Sequence, residues 1–110
     1  MVVTVWNNGT LRKSGAGYGL KFDIADRERF FKREWESVLL QLEDSSIEVE
    51  VNLTKRSFWG ATCRELINAE LGLWLARNGL APWAKGKPPK LLLKQIKGNR
   101  FILIKSNVRN

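Results

Sequence analysis

Groups able to do covalent or metal chemistry are scarce in this chain. It contains no histidine and one cysteine, Cys63. Ser-His and Cys-His catalysis need an imidazole base and are excluded. The usual zinc sites need several Cys or His ligands and are excluded with them. Cys63 falls on an apolar helical stripe and reads as a small buried hydrophobe. Carboxylates remain. Glu48 and Glu50 share one face of an expected strand, with Lys55 a few residues on. A small metal-dependent nuclease would need a further acid converging on them, and none stands at an obvious position. Two glutamates on the wet face of an amphipathic strand need no catalytic account. Gly15-x-Gly17-x-Gly19 has neither the G-x-G-x-x-G spacing of a dinucleotide fingerprint nor the Gly-Lys-Ser/Thr of a P-loop. It reads as a bend in the chain. A looser use is backbone N–H groups approaching a phosphate, flanked by Arg12, Lys13 and Lys21. No catalytic residue, metal or cofactor is expected.

Cations offer a different chemistry. The net charge is +8, from 19 basic and 11 acidic residues. Residues 1–60 hold nine of each sign, so the whole excess sits in residues 61–110, with ten bases and two acids. After Glu70 there is no acid, against Arg77, Lys85, Lys87, Lys90, Lys94, Lys97, Arg100, Lys105 and Arg109. A one-signed segment in a folded domain sets up a positive field that collects polyanions. Five tryptophans accompany it. Trp35 and Trp74 lie on apolar helical stripes and belong to the core, and Trp6 to core or rim. Trp59 (beside Lys55-Arg56) and Trp83 (beside Lys85 and Lys87) could stack on a base or sugar, or anchor their loops.

The elements that must carry these residues follow from periodicity. Val2–Trp6 and Leu20–Phe22 read as strands, separated by an Asn7-Asn8-Gly9 turn and the glycine segment. Asp23 reads as a helix N-cap with Asp26 in the first turn. Phe31, Trp35, Val38, Leu39 and Leu42 then form one stripe of a helix over 24–42, with Arg27, Glu28, Lys32, Arg33 and Glu36 on its wet face. Ile47, Val49, Val51 and Leu53 alternate with Glu48, Glu50 and Asn52, the cleanest strand in the chain. Cys63, Leu66, Ile67, Leu71, Trp74 and Leu75 predict a second helix, opened by a Thr62-x-x-Glu65 capping box and stopped at Arg77 and Gly79. After a breaker-rich loop over 80–90, strands at 91–96 and 100–105 flank Gly98-Asn99, a hairpin signal. Residues 106–110 read as a fraying tail.

With 44% apolar and 27% charged residues, the chain reads as one globular domain, 1–110. The expected fold class is α+β: a mostly antiparallel, barrel-like sheet with two amphipathic helices and a C-terminal β-hairpin. No apolar run spans a membrane and the first residues do not form a signal peptide, so the expected location is the cytoplasm.

From residue 47 on, the order strand, helix, Lys85-Gly86-Lys87 turn, strand, Gly98-Asn99 turn, strand resembles AbrB-type transition regulators. It is also similar to the pseudobarrel DNA-binding domains of plant transcription factors and of restriction-enzyme effector domains such as that of EcoRII. The likeness rests on element order over about half the chain. The Gly-Asp turn of the family would fall at Gly86-Lys87, which lacks the acid. The resemblance implies binding of duplex DNA, in the pseudobarrels by two arms in the major groove, and it transfers no individual residue.

The expected function is a nucleic-acid-binding module, duplex DNA ahead of RNA. Lys85, Lys87, Lys90, Lys94, Lys97 and Arg100 are its candidate phosphate or groove contacts, with Arg12, Lys13 and Trp83 beside them. The alternative from a different class is a protein-interaction module built on Trp59, Trp83 and the Pro88-Pro89 loop, with a small metal-dependent nuclease using Glu48 or Glu50 ranked behind it.

Overall fold

The computed structural model describes residues 1–9, 14–54, 56–60 and 64–105. Arg12, Lys13, Lys55, Thr62, Cys63 and the 106–110 tail lie outside them. The described chain forms strands β1 (Val2–Asn7) and β2 (Tyr18–Lys21), helix α1 (Ile24–Phe30), strands β3 (Ser37–Leu42) and β4 (Glu48–Asn52), a 3₁₀ turn at Arg56–Trp59, strand β5 (Glu65–Ile67), helix α2 (Ala69–Arg77), and strands β6 (Lys90–Lys97) and β7 (Arg100–Ile104).

The strands form one sheet in the order β4-β3-β7-β6-β1-β2-β5, and the outermost strands β4 and β5 approach each other, so the sheet is a nearly closed barrel. Pairing is antiparallel except between β3 and β7. The α+β class, the barrel-like sheet, the two helices and the terminal hairpin agree with the sequence reading. Alternation decides what fills the barrel. Val3 and Val5, Val38, Leu40 and Leu42, Val49 and Val51, Leu91 and Leu93, Phe101 and Leu103 all point inward and are buried. Phe22, Phe31, Phe58 and Phe101 close one end as an aromatic cluster, with Phe31 stacked on Phe101 at 5.0 Å between centroids. Trp74 and Leu75 of α2 join the same core.

Two helices differ from expectation. The run 24–42 splits: α1 ends at Phe30, where Phe31 turns extended while its N–H still donates to the Arg27 carbonyl, and residues 37–42 are strand β3. The apolar positions Val38, Leu40 and Leu42 satisfy a period of two as well as the helical stripe does, and pairing with β4 and β7 on both sides settles the matter. Arg27, assigned to a wet face, is instead 3% exposed. The second helix begins later. Residues 65–67 pair with β2, so Glu65 is no capping residue. Asn68 caps α2 instead, its side-chain oxygen accepting from the Leu71 N–H at 3.1 Å. The stop at Arg77 and Gly79 is where the sequence places it. The β6–β7 turn has positive φ at Gly98 and not at Asn99, as a type II′ hairpin requires.

Candidate nucleic-acid interface

Strand β6 carries the candidate cations because its outward positions are Lys90, Leu92 and Lys94, while Leu91 and Leu93 fill the barrel. Beyond Lys94 an irregularity in the β6–β7 pairing lets Lys97 face Arg100. Lys94, Lys97 and Arg100 are exposed and Lys90 is half-buried. Seven residue steps separate Lys90 from Lys97, roughly 23 Å of extended chain. The lysines therefore form a stripe along one strand rather than a knot at the hairpin tip.

Lys85 and Lys87 extend the stripe at its start. Both are exposed on a turn in which the Lys87 N–H donates to the Ala84 carbonyl at 2.9 Å. The Pro89 carbonyl accepts from the Val5 N–H at 2.9 Å and ties this segment to β1. At the same end a row crosses the sheet, Lys90 opposite Thr4, Thr4 opposite Lys21, and Lys21 opposite Glu65. Lys21 thus joins the candidate set through pairing that is not visible along the chain. Its signal was the alternation of Leu20 and Phe22, which turns Lys21 outward. Trp6 lies two residues beyond Thr4 on the same outward face, half-buried and opposite Gly19.

The ion pairs sort the cations. Among the described residues, salt bridges join Arg27 and Arg33 to Glu28, Arg100 to Glu48 at 3.6 Å, and Lys105 to Asp44 at 2.7 Å. None of them uses Lys21, Lys85, Lys87, Lys90, Lys94 or Lys97. Arg100 is thus partly neutralised by an acid of the front half. The hydrogen bond from Lys105 to the Asp44 carboxylate holds the ammonium above the ordinary lysine range. Lys105 keeps its charge throughout the neutral range but is committed to that partner.

The tryptophans flanking the basic segments are tied down. The Trp83 ring sets its edge against Tyr18 at 6.1 Å and packs on the core. The Trp59 indole N–H donates to the Leu53 carbonyl at 2.9 Å, its ring meets Phe58, and the guanidinium carbons of Arg33 and Arg27 lie 4.7 and 5.6 Å from its centroid. Both are half-buried and anchor their loops to the core. The glutamates considered for metal chemistry are also engaged: Glu50 accepts from the Ser37 hydroxyl at 2.8 Å, and Glu48 pairs with Arg100. No group of three potential metal ligands occurs among the described residues. No described helix is long and apolar enough to cross a membrane.

No protein-family model, curated protein or solved structure matches the chain.

Proposed function

We propose that this chain is a nucleic-acid-binding module that grips duplex DNA by its phosphate backbone, along the β6 stripe and the adjoining Lys85–Lys87 turn. The carrying observation is the run of lysines at 85, 87, 90, 94 and 97 outside every ion pair among the described residues, while acids elsewhere are matched with Arg27, Arg33, Arg100 and Lys105. A stripe of roughly 23 Å parallels about seven phosphates of one strand at ~3.4 Å of axis each. Lys21, across the sheet from Lys90, widens the contact. Lysines are point charges, so the stripe would fix register and orientation while carrying little sequence information. The resemblance to pseudobarrel DNA-binding domains points the same way. Duplex is favoured over single strands because Trp59 and Trp83 are engaged with their own core, which leaves few free rings for bases to stack on.

The test is fluorescence anisotropy with labelled duplex, single-stranded DNA and RNA at low and moderate salt. Duplex affinity should fall steeply with salt, and Lys94→Ala or Lys87→Ala should each lower the logarithmic salt slope by about one unit. Affinity that does not change with salt would remove the electrostatic basis of the reading. Stronger binding to single strands would redirect it to Trp6 and the outer face of β1.

A further inference from the structure

Gly15-x-Gly17-x-Gly19 has no fingerprint spacing, and Gly72 sits in the middle of α2, where glycine costs about 1 kcal/mol relative to alanine. The structure joins these two oddities. Gly15 and Gly72 meet backbone to backbone. A Cβ on Gly15 would overlap the Ala69 carbonyl oxygen and stand 2.7 Å from the Leu73 nitrogen. A Cβ on Gly72 would overlap the Gly15 carbonyl oxygen and stand 2.8 Å from the Gly15 Cα. These neighbours are main chain, which cannot swing aside. Gly15 also holds φ +82, a conformation L side chains rarely adopt, whereas Gly72 has an ordinary helical backbone. The same packing continues along the motif. A Cβ on Gly17 would lie 2.6 Å from Asn8 Oδ1, and one on Gly19 would overlap the Leu66 carbonyl oxygen. The motif is a strip where backbone presses against helix, turn and strand.

We propose that the Gly15–Gly72 contact is the positioning element of the basic surface, an inference that rests on the nucleic-acid reading above. It sets how closely α2 lies against the end of the β1–β2 pair. The chain leaving α2 leads directly to Lys85 and Lys87. That segment is fastened back onto the same strands by Trp83 against Tyr18 and by the Pro89 carbonyl on Val5. With the helix seated, the exposed Lys85 and Lys87 are held at the start of β6, where Lys90 and Lys21 flank Thr4 in one row. With the helix lifted by one methyl group, the fastenings and the helix compete, and that arrangement is populated only part of the time. The two glycines thus preorganise a phosphate-binding surface without touching a phosphate.

Gly72→Ala is the decisive variant, because it removes no charge, needs no left-handed φ at its own position and improves helix propensity, so that its effect comes through the Gly15 contact. Gly79→Ala is its control: Gly79 has φ +70 and nothing within 4 Å of a Cβ, so it carries backbone strain without a contact. Gly72→Ala should weaken duplex binding roughly tenfold, as when the competent fraction falls to about one tenth, with the salt slope unchanged because no phosphate contact is lost. Gly79→Ala should leave affinity within about twofold at the same salt. Amide exchange of residues 14–17 should quicken in Gly72→Ala and not in Gly79→Ala. The outcomes separate the two claims. A wild type indifferent to duplex at low salt removes the nucleic-acid reading itself. A wild type that binds, with a folded Gly72→Ala that binds equally well, removes only the positioning role. A drop in salt slope for Gly72→Ala also overturns it, since that would mark a lost contact rather than a displaced one. Should Gly72→Ala fail to fold, Tyr18→Leu loosens the Trp83 fastening of the same segment without entering the glycine contact: weaker duplex binding at an unchanged salt slope supports the positioning role, and wild-type binding removes it.

Discussion

Among the described residues Arg27 is the most deeply buried charged side chain. Its guanidinium donates to the carbonyls of Phe58 and Gly60 at 2.8 and 2.6 Å, beneath the Trp59 ring, while its Nε has no hydrogen-bond partner. A charge taken out of water with one donor unmet stabilises little net, but removing it strands two carbonyls that depend on it. Arg27→Ala should therefore cost about 3 kcal/mol or more in urea unfolding, with a red-shifted Trp59 emission as the 58–60 segment loosens. Arg27→Lys should recover only part of this: one ammonium can still donate to both carbonyls, which share Nη1 as their donor, but it loses the Nη2 contact to Glu28 and the planar group beside the Trp59 ring. An unchanged midpoint for Arg27→Ala would show that water replaces the guanidinium at no cost. Helical periodicity placed Arg27 on a solvated face because its neighbours Glu28, Lys32 and Arg33 belong there. The carbonyls that draw it inward lie 31 and 33 residues away, a distance over which no spacing rule operates.

Elements with one-sided burial and a unique period were readable from the residues alone. The alternation through 48–52, the Gly98-Asn99 hairpin and the Arg77–Gly79 stop each admit one structure, and each is present. The segment 31–42 admits two. Its apolar residues fit a helical stripe and a strand at once, and the choice belongs to β4 and β7, which supply hydrogen bonds on both edges. The same competition shortened the second helix, since Leu66 finds a strand partner in Leu20. A mutational pair checks the strand. Leu40 is fully buried between its neighbours, whereas Gln41 is exposed. Leu40→Ala should cost roughly 2–5 kcal/mol and Gln41→Ala less than about 0.5 kcal/mol. Comparable costs at the two positions would contradict the alternation. The candidate site was readable to a different degree. That the positive charge gathers in the C-terminal half is plain from composition. That it lies along a strand, that Lys21 joins it from across the sheet, and that Arg100 is held by Glu48 all depend on pairing between distant segments.

The charges of the complete domain then decide how a polyanion would meet it. Acids cluster on the outward face of β4, where Glu48 and Glu50 stand beside β3, while the free lysines follow β6. Between them Arg100 reaches across to Glu48. Both partners are largely exposed and 3.6 Å apart, so the pair contributes little to stability. On the proposed reading its effect on binding is larger, because Glu48 both occupies Arg100 and would repel phosphates approaching the hairpin end of the stripe. Glu48→Gln keeps the shape and removes the charge. It should leave the unfolding midpoint nearly unchanged, raise duplex affinity about three- to tenfold at low salt, and steepen the logarithmic salt slope by up to about one unit as Arg100 is released to a phosphate. Glu34→Gln, which removes an exposed acid in the turn before β3 that takes part in none of these salt bridges, changes the net charge by the same amount. It serves to separate a local effect from a global one. If both variants gain affinity equally, the domain attracts DNA by its total charge alone and the stripe has no special part. If only Glu48→Gln gains, the phosphates pass the β6–β7 end of the barrel, and the hairpin is part of the contact after all, through Arg100.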